Sequence, residues 1–295
     1  MKGPNLLIIG AAKSGTTSLH NYLQQHPDIF MTTPKEPHFL INNDIGKDRI
    51  PKGIVDKDEY FNLFDVIDSY KYKGESSVMY LAYPEITIKN IKKYLTPHVR
   101  IIIMLRNPVE RAFSGYHHVK RYNMMEDLTF EEAIKISEDR YKNKHNITPA
   151  SRYLHLGNYY KQVKPFLKQF TNTHVIIYDD YKRNVNKELE KIFDFLNIKK
   201  IDINTHNKYM VGGWNWKNNF IKKIMRKDFF IKRFLKNIFL VRYLFNKFKF
   251  IFIKLFTKPS PKMRIKTERW LKDYYRKDVD QLSKLLNRNL NNWIK

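Results

Sequence analysis

Short apolar runs alternate with longer amphipathic stretches along most of this chain. Leu6-Leu7-Ile8-Ile9 is a four-residue apolar run that Gly10 ends. From about Gly15 the spacing changes to Leu19, Tyr22 and Leu23, which is the pattern of one helix face. The same switch recurs after Val99–Leu105 and after His174–Tyr178, both rich in strand-forming residues. Strands alternating with helices predict a parallel sheet covered by helices on both faces, a three-layer α/β fold. Thr129-Phe130-Glu131-Glu132 has capping-box spacing and should open a helix. Pro84 and Pro108 stand where a first helical turn accepts a missing N–H. Pro259-Ser260-Pro261 reads as a hinge before a final amphipathic helix from about Met263, giving an added C-terminal helical region. No repeat or linker divides the chain, so residues 1–295 are expected to form one domain, with 213–258 as an insert within it.

Composition adds limits. With 295 residues, of which 42% are hydrophobic and 15% aromatic, one large core can form. The absence of cysteine excludes disulfides and thiolate metal sites and makes a reducing cytoplasm the simplest expected location. The apolar run near the start is too short, and broken too soon by Gly10, to be a signal segment or a membrane span. A net charge of +26 attracts anions, whether nucleotide, anionic lipid, nucleic acid or acidic glycan, although much of it fits a generally lysine-rich surface.

Candidate chemistry begins where the first strand ends. Gly10-Ala11-Ala12-Lys13-Ser14-Gly15-Thr16-Thr17-Ser18 lies between a strand and a helix start, where backbone N–H groups and the positive helix end converge on one anion. Its two glycines have nucleotide-triphosphate P-loop spacing, yet Thr16 stands where such a loop carries its lysine, and Lys13 lies inside the loop instead. The strand Val99–Leu105 is followed by Arg106, not by an acidic residue that would help hold magnesium. Both departures disfavour a metal-assisted P-loop kinase. Arg106, with Ser114 two turns into the next helix, suits a phosphate monoester, since the guanidinium offers a fixed fork of donors.

These two segments, in this order, resemble the sulfotransferases that use 3′-phosphoadenosine 5′-phosphosulfate (PAPS), especially the heparan sulfate branch and its bacterial relatives. The resemblance continues through Gly157–Tyr160, His174–Leu196 and Trp270–Tyr275, and omits about 213–258. It implies a P-loop-like fold and sulfuryl transfer from PAPS, leaving the product PAP (3′-phosphoadenosine 5′-phosphate). It also implies a 5′-phosphosulfate loop made by Ala12, Lys13, Ser14, Gly15, Thr16, Thr17 and Ser18, and a 3′-phosphate pair made by Arg106 and Ser114. Thr33-Pro34-Lys35-Glu36-Pro37-His38-Phe39 resembles the loop that supplies a glutamate base in glycan-modifying members, so the resemblance gives that role to Glu36, with His38 as runner-up and an ion pair with Lys35 as the structural alternative. Lys13 is then the cation beside the departing oxygen, and Lys208 a phosphate contact from a closing loop.

Two positions depart from the glycan pattern. Ser76 stands where those enzymes commonly carry a lysine, and Ile41 where they carry an acidic residue. A sugar hydroxyl is the expected acceptor, with a small natural-product alcohol or amine close behind. The stretch from Trp214 to Phe256 interleaves aromatic residues and cations and is expected to form helices that cap the core or touch an anionic membrane surface. A non-catalytic binder of nucleic acid or membrane is the reading from another class, although no specific nucleic acid is expected as a partner.

Overall fold

A computed structural model describes residues 3–65, 69–122, 126–144, 146–207, 209, 212–218 and 255–295. Five parallel strands form the centre in the order β2-β3-β1-β4-β5. They are β1 (Leu6–Gly10), β2 (Ile29–Met31), β3 (Tyr72–Ser76), β4 (Arg100–Leu105) and β5 (Thr173–Ile177). All five residues of the middle strand, β1, are buried, with helices on both sides. Alternation along the strands builds two cores: Leu7, Ile9, Ile101 and Ile103 face one layer, and Leu6, Ile8, Ile102 and Met104 face the other.

The helices are α1 (Thr16–Leu23), α2 (Phe39–Ile45), α3 (Lys57–Asn62), α4 (Pro84–Tyr94), α5 (Pro108–Tyr122), α6 (Phe130–Asn143), α7 (Tyr159–Gln169), α8 (Tyr178–Arg183), α9 (Val185–Leu196) and α10 (Ile265–Leu285). Leu19 and Leu23 of α1 join Leu189, Ile192 and Phe193 of α9 in one layer. Ile91, Val109, Phe166, Leu271 and Val279 bring α4, α5, α7 and α10 into the other. The three-layer architecture and its C-terminal helix therefore follow the sequence expectation. So do the capping box, in which Thr129 Oγ1 accepts from the Glu132 N–H and Glu132 Oε2 accepts from the Thr129 N–H at 2.8 Å, and the helix starts at Pro84 and Pro108.

One part of the expectation is corrected. Trp214–Trp216, read as the start of a helical insert, is a strand (β6) that pairs antiparallel with Thr257–Pro259 (β7), so the supposed hinge at Pro259 begins inside a ribbon. Aromatic residues at alternate positions of Trp-Asn-Trp suit a pleated ribbon better than a helix turn. Arg121 Nη2 donates to the Trp214 carbonyl at 2.7 Å and fixes the ribbon to α5. The remainder of the insert, 219–254, lies outside the described residues. No helix among the described residues is long and apolar enough to cross a membrane.

Candidate active site

The loop after β1 is shaped by residues that can leave ordinary backbone geometry. Gly15, the N-cap of α1, has φ +91°, and a Cβ placed there would lie 3.0 Å from the Tyr178 ring. The first intrahelical bond of α1 runs from the Leu19 N–H to the Gly15 carbonyl, which leaves the N–H groups of Thr16, Thr17 and Ser18 for another acceptor. Ser14 is wholly buried in the loop, and its hydroxyl has no hydrogen-bond partner in the protein. A concave run of unspent donors at a helix start is what an anion needs. The residues of this loop therefore fit a phosphate-bearing ligand.

Cations converge on the same place. Lys13, itself at φ +70°, directs Nζ to His118 Nδ1 at 3.4 Å. Its pKa is pushed down to about 8, chiefly by burial, with Arg121 and Arg106 adding to the fall and Glu36 opposing them. Burial also lowers His118, to about 3, with Lys13 and Arg121 adding to the effect. His118 is thus a neutral acceptor that orients the Lys13 ammonium.

Arg106 follows β4 and reaches back to the loop after β1. Its Nη1 donates to the Lys13 carbonyl at 3.4 Å, its Nη2 to Glu110 Oε2 at 2.7 Å, and its guanidinium covers the Tyr178 ring at 5.0 Å. The Tyr159 hydroxyl donates to the Arg106 carbonyl at 2.9 Å, so the backbone at this corner is fixed from α7. Glu110 is mostly exposed, so its hold on Arg106 is a screened surface pair that a phosphate can displace. Ser114, half-buried on α5, lies on one helix face with His118 and Arg121 by its i, i+4, i+7 spacing.

Within electrostatic reach of these cations stands the loop before α2. Glu36 and His38 both have left-handed backbones, at φ +69° and +53°. Glu36 Oε1 accepts from Lys35 Nζ at 2.6 Å, and Oε2 lies 3.3 Å from His38 Nε2. Burial works against the Glu36 charge, but the hydrogen bond from His38 and the Lys35 ammonium outweigh it, holding this carboxyl well below the usual carboxylate range. The ion pair foreseen as an alternative for Glu36 is therefore present, and the residue also lies within electrostatic reach of Lys13 and His118.

Residues 3–231 match the family described as Sulfotransferase domain. The chain belongs to that family. A crystal structure of a sulfotransferase from Alicyclobacillus acidocaldarius superposes over 100% of both chains, with TM-score 0.76 and 28% identity. Human carbohydrate sulfotransferase 15 is 26% identical over 66% of this chain, and the Caenorhabditis elegans bifunctional heparan sulfate N-deacetylase/N-sulfotransferase 1 is 24% identical over 70%. This chain spans 44% and 23% of the lengths of those two relatives.

In this member of the sulfotransferase family the fold joins segments that the sequence keeps apart: the loop 12–18, Arg106 and the Glu36–His38 loop meet around Lys13. Lys208 lies outside the described residues, while the segment before it is anchored to α1 by the Tyr22 hydroxyl, which donates to the Asn207 carbonyl at 2.9 Å. Two contributors had no role in the sequence reading, His118 and Arg121. Their spacing from Ser114 on one helix was the available signal. Ser76, the departure from the glycan-enzyme pattern, is buried with its Oγ 2.9 Å from His20 Nδ1. Burial, then Lys35, push the His20 pKa down to about 4, so this pair is neutral where a lysine would carry charge.

The depressed pKa of Lys13 makes anion binding depend on pH. An anion bound beside the ammonium raises its pKa above that of the free protein, so affinity is level below about pH 8 and declines above it, approaching tenfold per pH unit. Titrations of a phosphate-bearing nucleotide from pH 7 to pH 9.5 should show this decline, and Lys13→Met should flatten it.

Proposed function

We propose that this sulfotransferase takes its sulfuryl group from PAPS and passes it to an uncharged hydroxyl, with a carbohydrate as the favoured acceptor class. The observation that carries the donor reading is the meeting at Lys13 of two groups suited to phosphate: the loop whose N–H groups at Thr16, Thr17 and Ser18 are unspent, and Arg106, whose guanidinium reaches the Lys13 carbonyl. Together they match one nucleotide with phosphate at both ends. PAPS supplies a sulfur with a nucleotide phosphate as leaving group.

Each residue then has a separable role. Thr16, Thr17, Ser18 and the loop N–H groups hold the 5′-phosphate, while Arg106 and Ser114 hold the 3′-phosphate. Lys13 stands where negative charge grows on the bridging oxygen, so its ammonium acts more strongly in the transition state than before it. Glu36, ionised by its partners, takes the acceptor proton. The carbohydrate preference draws on the Glu36 loop and on relatives named for carbohydrate and heparan sulfate sulfation. The neutral Ser76–His20 pair argues for an uncharged acceptor over a polyanionic one and keeps a small alcohol as the second reading.

The test of the donor arm is a pair of titrations in EDTA, one with PAP and one with adenosine 5′-phosphate. Arg106→Ala should weaken PAP by about 1.5–3 kcal/mol, the worth of charge-assisted hydrogen bonds to phosphate, and leave adenosine 5′-phosphate nearly unchanged. Equal losses for both ligands would remove Arg106 from the 3′-phosphate. Retention of ATP with magnesium, without retention of PAP, would restore the kinase reading.

A further inference from the structure

Beneath the Glu36 loop lies a carboxylate that the reaction scheme does not use. Glu75, near the end of β3, is 0% exposed, as are Ser77, Tyr60 and Tyr80 around it. Its Oε1 accepts from the Tyr80 hydroxyl at 2.6 Å and the Tyr60 hydroxyl at 3.0 Å, and its Oε2 accepts from Ser77 Oγ at 2.6 Å. All three partners are hydroxyls. A buried carboxylate held only by neutral donors is costly to keep, because burial disfavours its charge.

What those hydroxyls do next explains the arrangement. Ser77 Oγ accepts from the His38 N–H at 2.9 Å, and Tyr80 Oη accepts from the Leu40 N–H at 3.2 Å. His38 is the N-cap of α2 and provides no side-chain cap itself. The N–H groups of the N-cap and of Leu40 in the first turn of α2 are therefore satisfied from another element, by two hydroxyls whose protons are committed to Glu75. Fixed as acceptors toward the helix, they place negative charge behind its positive end. The turn they secure contains the left-handed residues Glu36 and His38, a conformation that persists only when its surroundings over-determine it. The pairing of Glu75 with Leu7 of β1 ties the network to the strand that carries the donor loop.

We infer that Glu75 is the positioning residue of the acceptor side: through Ser77 and Tyr80 it caps α2 in trans and thereby aims Glu36 and His38 at the reacting centre. This rests on the reading of Glu36 as the base. Glutamine at 75 keeps the shape, but its amide nitrogen donates, so either Ser77 or the tyrosine pair loses its acceptor.

Two readouts test the assignment, one of them independent of turnover. Amide hydrogen exchange in the peptide spanning 37–42 should quicken by about tenfold or more in Glu75→Gln and Ser77→Ala, with exchange in the donor loop unchanged. PAP affinity should stay within about twofold, while release of labelled sulfate from PAPS, with water as acceptor, falls about tenfold. Adding Glu75→Gln to Glu36→Gln should produce no further fall, since both act on one step. Unchanged exchange at 37–42, or PAP affinity that drops as far as turnover, would overturn the assignment. Normal turnover in Glu36→Gln alone would instead remove the base reading, and the exchange data would still decide whether Glu75 holds the loop.

Discussion

Glu36→Gln should bind PAP as tightly as the unaltered protein and transfer sulfuryl groups about 10²–10⁴-fold more slowly, the usual cost of losing a general base. The amide retains the shape of the side chain and can still meet Lys35, but it cannot take a proton. The expected effect is confined to turnover because the Glu36 carboxylate pairs with Lys35 and His38 and not with the residues assigned to the nucleotide phosphates. Lys35 and His38 keep Glu36 charged, so it is ready to accept a proton at any ordinary pH. The same partners lower its basicity. Transfer is then favourable only late, when the acceptor oxygen has begun to bond sulfur and its proton has become acidic. Single-turnover rates at saturating PAPS check the prediction. Near-normal rates would remove Glu36, and a matching loss in His38→Ala would move the role to His38.

Lys13→Ala should differ in kind, because the proposed role gives its ammonium a contact with the donor before reaction and with the leaving oxygen during it. PAP affinity should fall by about tenfold or more, the scale of a charge-assisted contact, and turnover at saturating PAPS by about 10²-fold beyond that, the scale of a lost transition-state donor. His118→Ala should reproduce part of the turnover loss with little change in affinity, since His118 orients Lys13 through one contact at 3.4 Å. PAP titrations and single-turnover rates on the same variants separate the two effects. A Lys13 variant that loses affinity alone would confine the residue to binding.

How far the sequence could be read depended on whether the signal was local. The donor loop lies in one contiguous strand–loop–helix segment, and Arg106 follows the next recognisable strand, so pattern and chemistry coincided. Strand β3 gave no such signal. Tyr72-Lys73-Gly74-Glu75-Ser76 looks like a polar surface segment, yet all five residues are buried, and Glu75 is satisfied there by Tyr60, Ser77 and Tyr80, the first of them fifteen positions away. Local polarity cannot announce partners that only the fold supplies. His118 and Arg121 were missed for a related reason: a histidine and an arginine on a basic amphipathic helix are ordinary until the site they face is known. The Trp214 strand was misread because aromatic and basic residues at mixed spacing fit a helix face as readily as a ribbon, and its pairing with Thr257–Pro259 joins positions some forty residues apart.

The most direct test of the donor assignment and of the transfer itself is incubation of the protein with sulfur-labelled PAPS and a pool of neutral oligosaccharides, followed by separation of nucleotide from sugar. The expected result is label in the sugar fraction with PAP formed in equal amount, abolished in Lys13→Ala and strongly reduced in Glu36→Gln. Label remaining in PAPS across neutral sugars and small alcohols alike, while a phosphate of ATP is transferred in the presence of magnesium, would contradict it.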